Sequence, residues 1–194
     1  MDTKIFLLII TILTTVTFLL SCSPMLETDI DYSDMENNED ETTNEEQTEE
    51  ESAWQDIPLT NINTQATFTI KELTQKPTLI ETFAVWCPTC TRQQGIIHEL
   101  LEEQTLDFNA LSLNIDPNED EVLIQEHIEK NSFEAGTYAI SPTTLTQALI
   151  DQYGITIASA PQAPIVLICP NGNSELLQNG LKTANELTQA LESC

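Results

Sequence analysis

The chain has 194 residues, 32 of them acidic and six basic, for a net charge of -26. A surface of that sign repels nucleic-acid phosphates and anionic lipid head groups, which excludes nucleic-acid binding. Once an export-like N-terminus and a polar stretch are set aside, the length suffices for one core of ordinary size and not for two.

Lys4 precedes an uncharged run of sixteen residues, Ile5 to Leu20, short for a bilayer span and suited to the core of a signal peptide. It ends in Leu19-Leu20-Ser21-Cys22, which resembles the lipobox of prokaryotic lipoproteins. That resemblance implies a signal peptide over residues 1–21 and lipidation of Cys22. The alternatives are an uncleaved anchor helix, or an ordinary signal peptide with Cys22 as an incidental thiol. Either anchored version places the remainder on the extracytoplasmic face of the membrane.

Fourteen of the acids lie between Glu27 and Asp56, where no Lys or Arg occurs. Residues 22–56 therefore read as a disordered, self-repelling tether, too poor in aliphatic side chains to offset the entropy of ordering. Its use is to hold a domain away from the membrane or, equally, none; Trp54 is read as docking it. Residues 57–194 form the domain, where 17 acids against five bases leave a charge of -12.

Phe68-Thr69-Ile70 alternates like a short edge strand. The run from Thr78 to Trp86 is almost wholly apolar or β-branched, the pattern of a buried central strand, apart from Glu81. It ends at Cys87-Pro88, and Ile96, Ile97, Leu100 and Leu101 then follow with helical spacing. Phe108 to Ile115 alternates as a second central strand, Asp120 caps a helix to about Lys130, and Ser141-Pro142 opens another through Leu145 and Leu149. Ile165 to Cys169 is a buried strand, Asn171-Gly172 a hairpin turn and Glu175-Leu176-Leu177 the returning strand. A last helix carries Leu187 and Leu191. Strand, helix, strand, helix implies a parallel pair, and the hairpin adds antiparallel strands.

Cys87-Pro88-Thr89-Cys90 stands at the first strand-to-helix junction. A thiolate and not a thiol attacks disulfides, and free N–H groups at a helix N-terminus stabilise that negative charge. Cys87 occupies the place. Pro88 suits the first turn, since its missing N–H would be unbonded there anyway, and it leaves the Thr89 and Cys90 amides facing the Cys87 sulfur. Cys90, one turn in, is the shielded thiol that clears a mixed disulfide formed by Cys87. Glu81, six residues earlier, falls on the same side of its strand as the neighbourhood of Cys87; a register error would turn it to the surface instead.

This order of elements, with Trp86-Cys87-Pro88-Thr89-Cys90 at that junction, resembles the thioredoxin fold over residues 62 to 193. Within it the Phe83-Ala84-Val85-Trp86-Cys87-Pro88-Thr89-Cys90 string, the Ile115-Asp116-Pro117 strand end and the inserted helix before Tyr153-Gly154 look most like the membrane-anchored TlpA and ResA kind of thiol oxidoreductase. The resemblance implies an α/β/α sandwich on a mixed sheet. It makes Glu81 a buried acid relaying protons for the resolving cysteine, and makes Trp86 a shield over the redox pair. It also implies a cis-proline against the pair, for which Pro161 and Pro164 are candidates. Pro164 directly precedes a strand and is preferred, with Ala163 as the substrate-pairing residue. The same arrangement brings Cys169 and Cys194 to one pole, where an oxidising compartment would let them pair or a frayed C-terminus would leave them apart.

Structural zinc is disfavoured because no second C-x-x-C or C-x-x-H pair supplies four ligands, and no cofactor is expected. His98 and His127 read as helix-flank residues. The implied function is thiol–disulfide exchange on exported proteins, served by a membrane electron donor or acceptor; the alternative is a surface lipoprotein using the fold as a non-catalytic binding module.

Overall fold

A computed structural model describes residues 53–194. The expected signal peptide, the lipobox with Cys22 and the tether up to residue 52 lie outside the described residues.

Five strands form the central sheet in the spatial order β5-β4-β3-β6-β7. β3 (Thr78–Phe83), β4 (Asn109–Asn114) and β5 (Thr137–Ile140) run parallel, while β6 (Ile165–Ile168) lies antiparallel to β3 and β7 (Ser174–Leu176) antiparallel to β6. All six residues of β3 are buried, as its near-continuous apolar run requires of a strand covered on both faces. The pleat sends Leu79, Glu81 and Phe83 to one side and Ile80 and Thr82 to the other.

The first side is covered by α2 (Pro88–Glu103), α3 (Glu121–Asn131) and α5 (Ala184–Glu192). Leu79, Ala110, Ile165 and Leu167 pack there against Ile97, Leu100, Leu187 and Leu191. Phe83 and Tyr138 meet Ile124, Ile128 and Phe133 of the α3 region. On the opposite side, Ile80, Leu111, Leu113, Val166 and Ile168 bury Leu145 and Leu149 of α4 (Thr143–Tyr153), together with Ile70 and Trp54. The result is a three-layer α/β/α sandwich on a mixed sheet.

Three local readings change. Phe68-Thr69-Ile70 is not one strand: β2 (Thr67–Phe68) pairs with β1 (Leu59–Thr60), and Ile70 opens α1 (Ile70–Leu73). Thr69 caps that turn, its hydroxyl accepting from Glu72 N–H while the Glu72 carboxylate accepts from Thr69 N–H at 2.9 Å. That reciprocal box outcompetes the strand alternation. Secondly, α4 begins at Thr143 with Pro142 as a cap lacking a side-chain hydrogen bond, and the Ser141 hydroxyl pairs with that of Thr146 instead. Thirdly, Ala53–Asp56, expected in the tether, form a turn whose Trp54 is 5% exposed and meets Tyr153 edge to face at 6.2 Å. An indole is large enough to order its own segment once a core accepts it.

The Asn171-Gly172 hairpin forms as expected. Gly172 sits at φ +88°, a left-handed conformation open to glycine, and its N–H donates to the Cys169 carbonyl at 2.9 Å.

Candidate redox site

β3 delivers the chain to the C-terminal edge of the sheet, where Cys87 becomes the N-cap of α2. The Cys90 N–H donates to the Cys87 sulfur at 3.1 Å, and Pro88 occupies the first helical turn. Cys87 and Cys90 are joined as a disulfide with Cα atoms 5.3 Å apart. The Cys90 sulfur lies 3.1 Å from the Ala160 carbonyl oxygen, which a reduced Cys90 could use as acceptor. Both cysteines are about 1% exposed. Neither sulfur is therefore open to solvent in this disulfide form.

A groove of about 430 Å³ opens beside the pair, lined in part by Ala84, Trp86, Ile115, Pro117, Ala160 and Pro161. The Ala84 carbonyl accepts from Cys87 N–H at 3.0 Å, and Ala84 and Ala160 share one buried cluster with both cysteines. Trp86 is 59% exposed along this groove, its indole N–H donating to the Asp116 carboxylate at 2.6 Å. Backbone and side-chain hydrogen bonds from Asn118, joined by that of Trp86, hold the Asp116 carboxyl below its ordinary range.

Glu81 faces the α2 layer and is 3% exposed. Burial pushes its carboxyl up to about 7, against the opposing effects of the Ser112 hydroxyl at 2.5 Å, the Gln94 amide and the Lys182 ammonium. Gln94 follows Cys90 by four residues, hence one turn further on the same helix face. His127 is 6% exposed and not on a helix flank. Its Nδ1 accepts from Asn131 Nδ2 at 3.3 Å, leaving Nε2–H to donate to Gln94 Oε1 at 2.7 Å. Desolvation lowers its pKa and keeps the ring neutral. Tyr138, on β5, is held protonated by burial and by the nearby Glu81.

The proline assignment changes. No cis peptide bond occurs among the described residues, so neither Pro164 nor Pro161 is a cis-proline. Ala163 and Pro164 are buried, with the Pro164 carbonyl accepting from Thr82 N–H at 3.4 Å inside the sheet. The segment that reaches the cysteines is the short turn Ala160–Gln162, one step earlier, with Pro161 exposed on the groove.

Cys169 and Cys194 form a second disulfide, Cα atoms 5.2 Å apart, tying the end of β6 to the C-terminus beyond α5. It lies at the opposite pole of the sheet, since Ile168 pairs with Thr78 at the start of β3.

Three polar residues that no sequence motif marks complete the site. Glu119 bonds the main chain of the Val85-Trp86 loop, Gln93 clamps the chain at Lys182, and Lys182 is a 6%-exposed cation. Their partners stand far away along the chain, so no local pattern announces them. Lys182 alone had a weak signal, being one of only five bases after residue 56.

Sheet order, helix placement and a C-x-x-C disulfide at the β3-to-α2 junction define a thioredoxin-fold protein. By sequence, no protein family matches the chain and no curated protein does. By structure, the chain is similar to a secreted disulfide oxidoreductase of Mycobacterium tuberculosis described as homologous to E. coli DsbE, with TM-score 0.57 and 15% identity, covering 73% of this chain and 98% of that one. It is similar to the exposed lipoprotein thioredoxin of Streptococcus pneumoniae, at TM-score 0.57, 15% identity and coverage of 71% and 98%. BsSco, a member of the Sco family of cytochrome c oxidase assembly proteins, matches at TM-score 0.57 and 14% identity over 71% of this chain and 90% of its own. These likenesses establish the fold.

Proposed function

We propose that this protein is a thiol–disulfide oxidoreductase acting on exported proteins, with Cys87 attacking and Cys90 resolving. The observation that carries the reading is the Cys87–Cys90 disulfide at the N-terminus of α2, with the Glu81 carboxyl buried on the strand that leads to it. In the reducing direction, the Cys87 thiolate attacks a client disulfide, forming a mixed disulfide and expelling one client thiolate. Cys90 gives its proton to the Glu81 carboxylate and attacks the Cys87 sulfur. That closes the Cys87–Cys90 disulfide and expels the second client thiolate; both leaving thiolates take protons from water or from Glu81. The client gains two electrons, and a dithiol donor at the membrane returns them.

Client binding belongs to the groove. Trp86 and Pro161 supply exposed apolar walls, and Pro88 lies exposed at the helix start. Ala163 and Pro164 support the Ala160–Gln162 turn from beneath. Export and lipidation at Cys22 rest on the lipobox-like sequence; the secreted and exposed-lipoprotein descriptions of two structural neighbours accord with them.

The closure of Cys87 favours a second reading, a lipoprotein that uses the same groove as a binding module with idle sulfurs. Insulin reduction separates the two. The first reading expects turnover that Cys87→Ser abolishes, with Cys90→Ser trapping a mixed disulfide; turnover indifferent to Cys87→Ser removes it. Incorporation of a labelled fatty acid that Cys22→Ser abolishes tests the anchor.

A further inference from the structure

Lys182 is the single buried Lys or Arg among the described residues. Removing an ammonium from water is unfavourable unless partners replace its hydration, so the position calls for a reason. Its Nζ donates to the Ala163 carbonyl. Its main chain is clamped at both ends by one side chain of α2: Lys182 N–H donates to Gln93 Oε1 at 2.7 Å, and Gln93 Nε2 donates to the Lys182 carbonyl at 3.3 Å. Gln93 stands three residues after Cys90 on the same helix. Ala163 ends the turn whose Ala160 carbonyl touches the Cys90 sulfur, and it holds a left-handed conformation, φ +43°, that alanine seldom adopts unsupported. Lys182 thus grips both elements that flank Cys90, while its charge is felt by Glu81.

We propose that Lys182 is a positioning residue of the redox reaction: its ammonium holds the Ala160–Ala163 segment against Cys90 and supplies the one positive charge felt by the buried Glu81 carboxyl, the acceptor of the Cys90 proton. Of the groups that ease ionisation of the enclosed Glu81 carboxyl, the Ser112 hydroxyl and the Gln94 amide are neutral, and Lys182 alone carries a positive charge. The other polar or titratable groups around Glu81 do not supply a positive charge. Ser112 on β4, Gln94 on α2 and Tyr138 on β5 are uncharged, His127 behind Gln94 is neutral, and His98 of α2 is turned to the Glu102 carboxylate at 3.4 Å. Lys182 in turn faces Glu81 and, on α5, Glu186.

The inference rests on the oxidoreductase reading for its purpose but not for its measurement. In the oxidised full-length protein, the Glu81 side-chain carboxyl is titrated by carbon NMR. Lys182→Met is expected to move its midpoint up by about one pH unit, and Lys182→Arg to leave it near the wild-type value. Coupling is reciprocal, so Glu81→Gln, which leaves the lysine in place, is expected to lower the Lys182 Nζ midpoint by the same amount. That arm holds even if Lys182→Met does not fold. An unmoved Lys182 midpoint in Glu81→Gln, or an unmoved Glu81 midpoint in Lys182→Met, overturns the proposal. If both move while insulin turnover ignores Cys87→Ser, the pair is real and the enzymatic reading is what fails.

Discussion

The carboxylate of Glu119 is bonded to the main chain of Val85, accepting its N–H at 2.8 Å, 34 residues away in sequence. The second oxygen accepts from Trp86 N–H at 3.4 Å, and Asn114 Nδ2 donates to the first at 2.5 Å. The loop that presents Cys87 is therefore held at its N-terminal side by one acidic side chain from the β4–α3 connection. Charge-assisted bonds to main-chain N–H groups are stronger than neutral ones, and their loss leaves donors unsatisfied.

Glu119→Ala is accordingly expected to destabilise the fold by about 1–3 kcal/mol in urea unfolding and to slow thiol exchange at Cys87. Glu119→Gln, which keeps an acceptor oxygen, should lose less of both. Equal losses in the two variants would count against the loop-holding role.

Stability should depend on Glu81 in a pH window set by its own shift. The folded protein keeps the carboxyl protonated up to about 7, whereas the unfolded chain releases that proton near 4.5. The stabilising contribution is thus complete below 4.5 and is lost as pH rises to 7, with a total of about 3 kcal/mol as the upper scale. Thermal unfolding of the oxidised protein at pH 5 and 7.5 is the measurement. Glu81→Gln should flatten that slope and be the more stable protein at pH 7.5, while losing redox turnover.

The Cys169–Cys194 bridge closes a 25-residue span. Loop-closure entropy for that length gives a stabilisation of about 3.5 kcal/mol. Cys169→Ser with Cys194→Ser should lower the denaturation midpoint accordingly yet leave the Cys87/Cys90 reduction potential in place, because the bridge lies at the other pole. A shifted potential would show the two disulfides to be linked.

Trp54 tests where the domain begins. A chain starting at Ile57 loses the indole that Tyr153 and the α4 face enclose, and Trp54→Ala removes it in place. Both are expected to cost about 3–5 kcal/mol, the range for truncating a buried aromatic, as read by urea unfolding. Unchanged stability would return residues 53–56 to the tether.

The elements legible in the sequence were those written in local pattern: the unbroken β3 run, the Cys87-Pro88 junction, the Asp120 cap, whose carboxylate accepts from Leu123 N–H at 2.9 Å, and the Asn171-Gly172 turn. β5 went unread because four residues, Thr137 to Ile140, give too short an alternation to stand out beside Gly136. α1 was missed although its Thr69-x-x-Glu72 box is local, since Phe68 and Ile70 mimic a strand. The site divides the same way. Cys87, Cys90 and Glu81 follow from motif and strand period, but Glu119, Gln93 and Lys182 act through partners that only folding brings near. The burial of His127 is not legible in the sequence, because a lone histidine on a helix does not reveal which face is covered.

The entry of the chain into the domain has its own consequence. Trp54 rests on Tyr153, whose hydroxyl donates to Ser174, and Ser174 pairs with Ile168, the partner of Thr78 where β3 starts. Cys87 follows the far end of that same strand. Trp54 and Cys87 thus stand at opposite ends of β3, like the handle and the tip of a tool, with the length of the sheet between them.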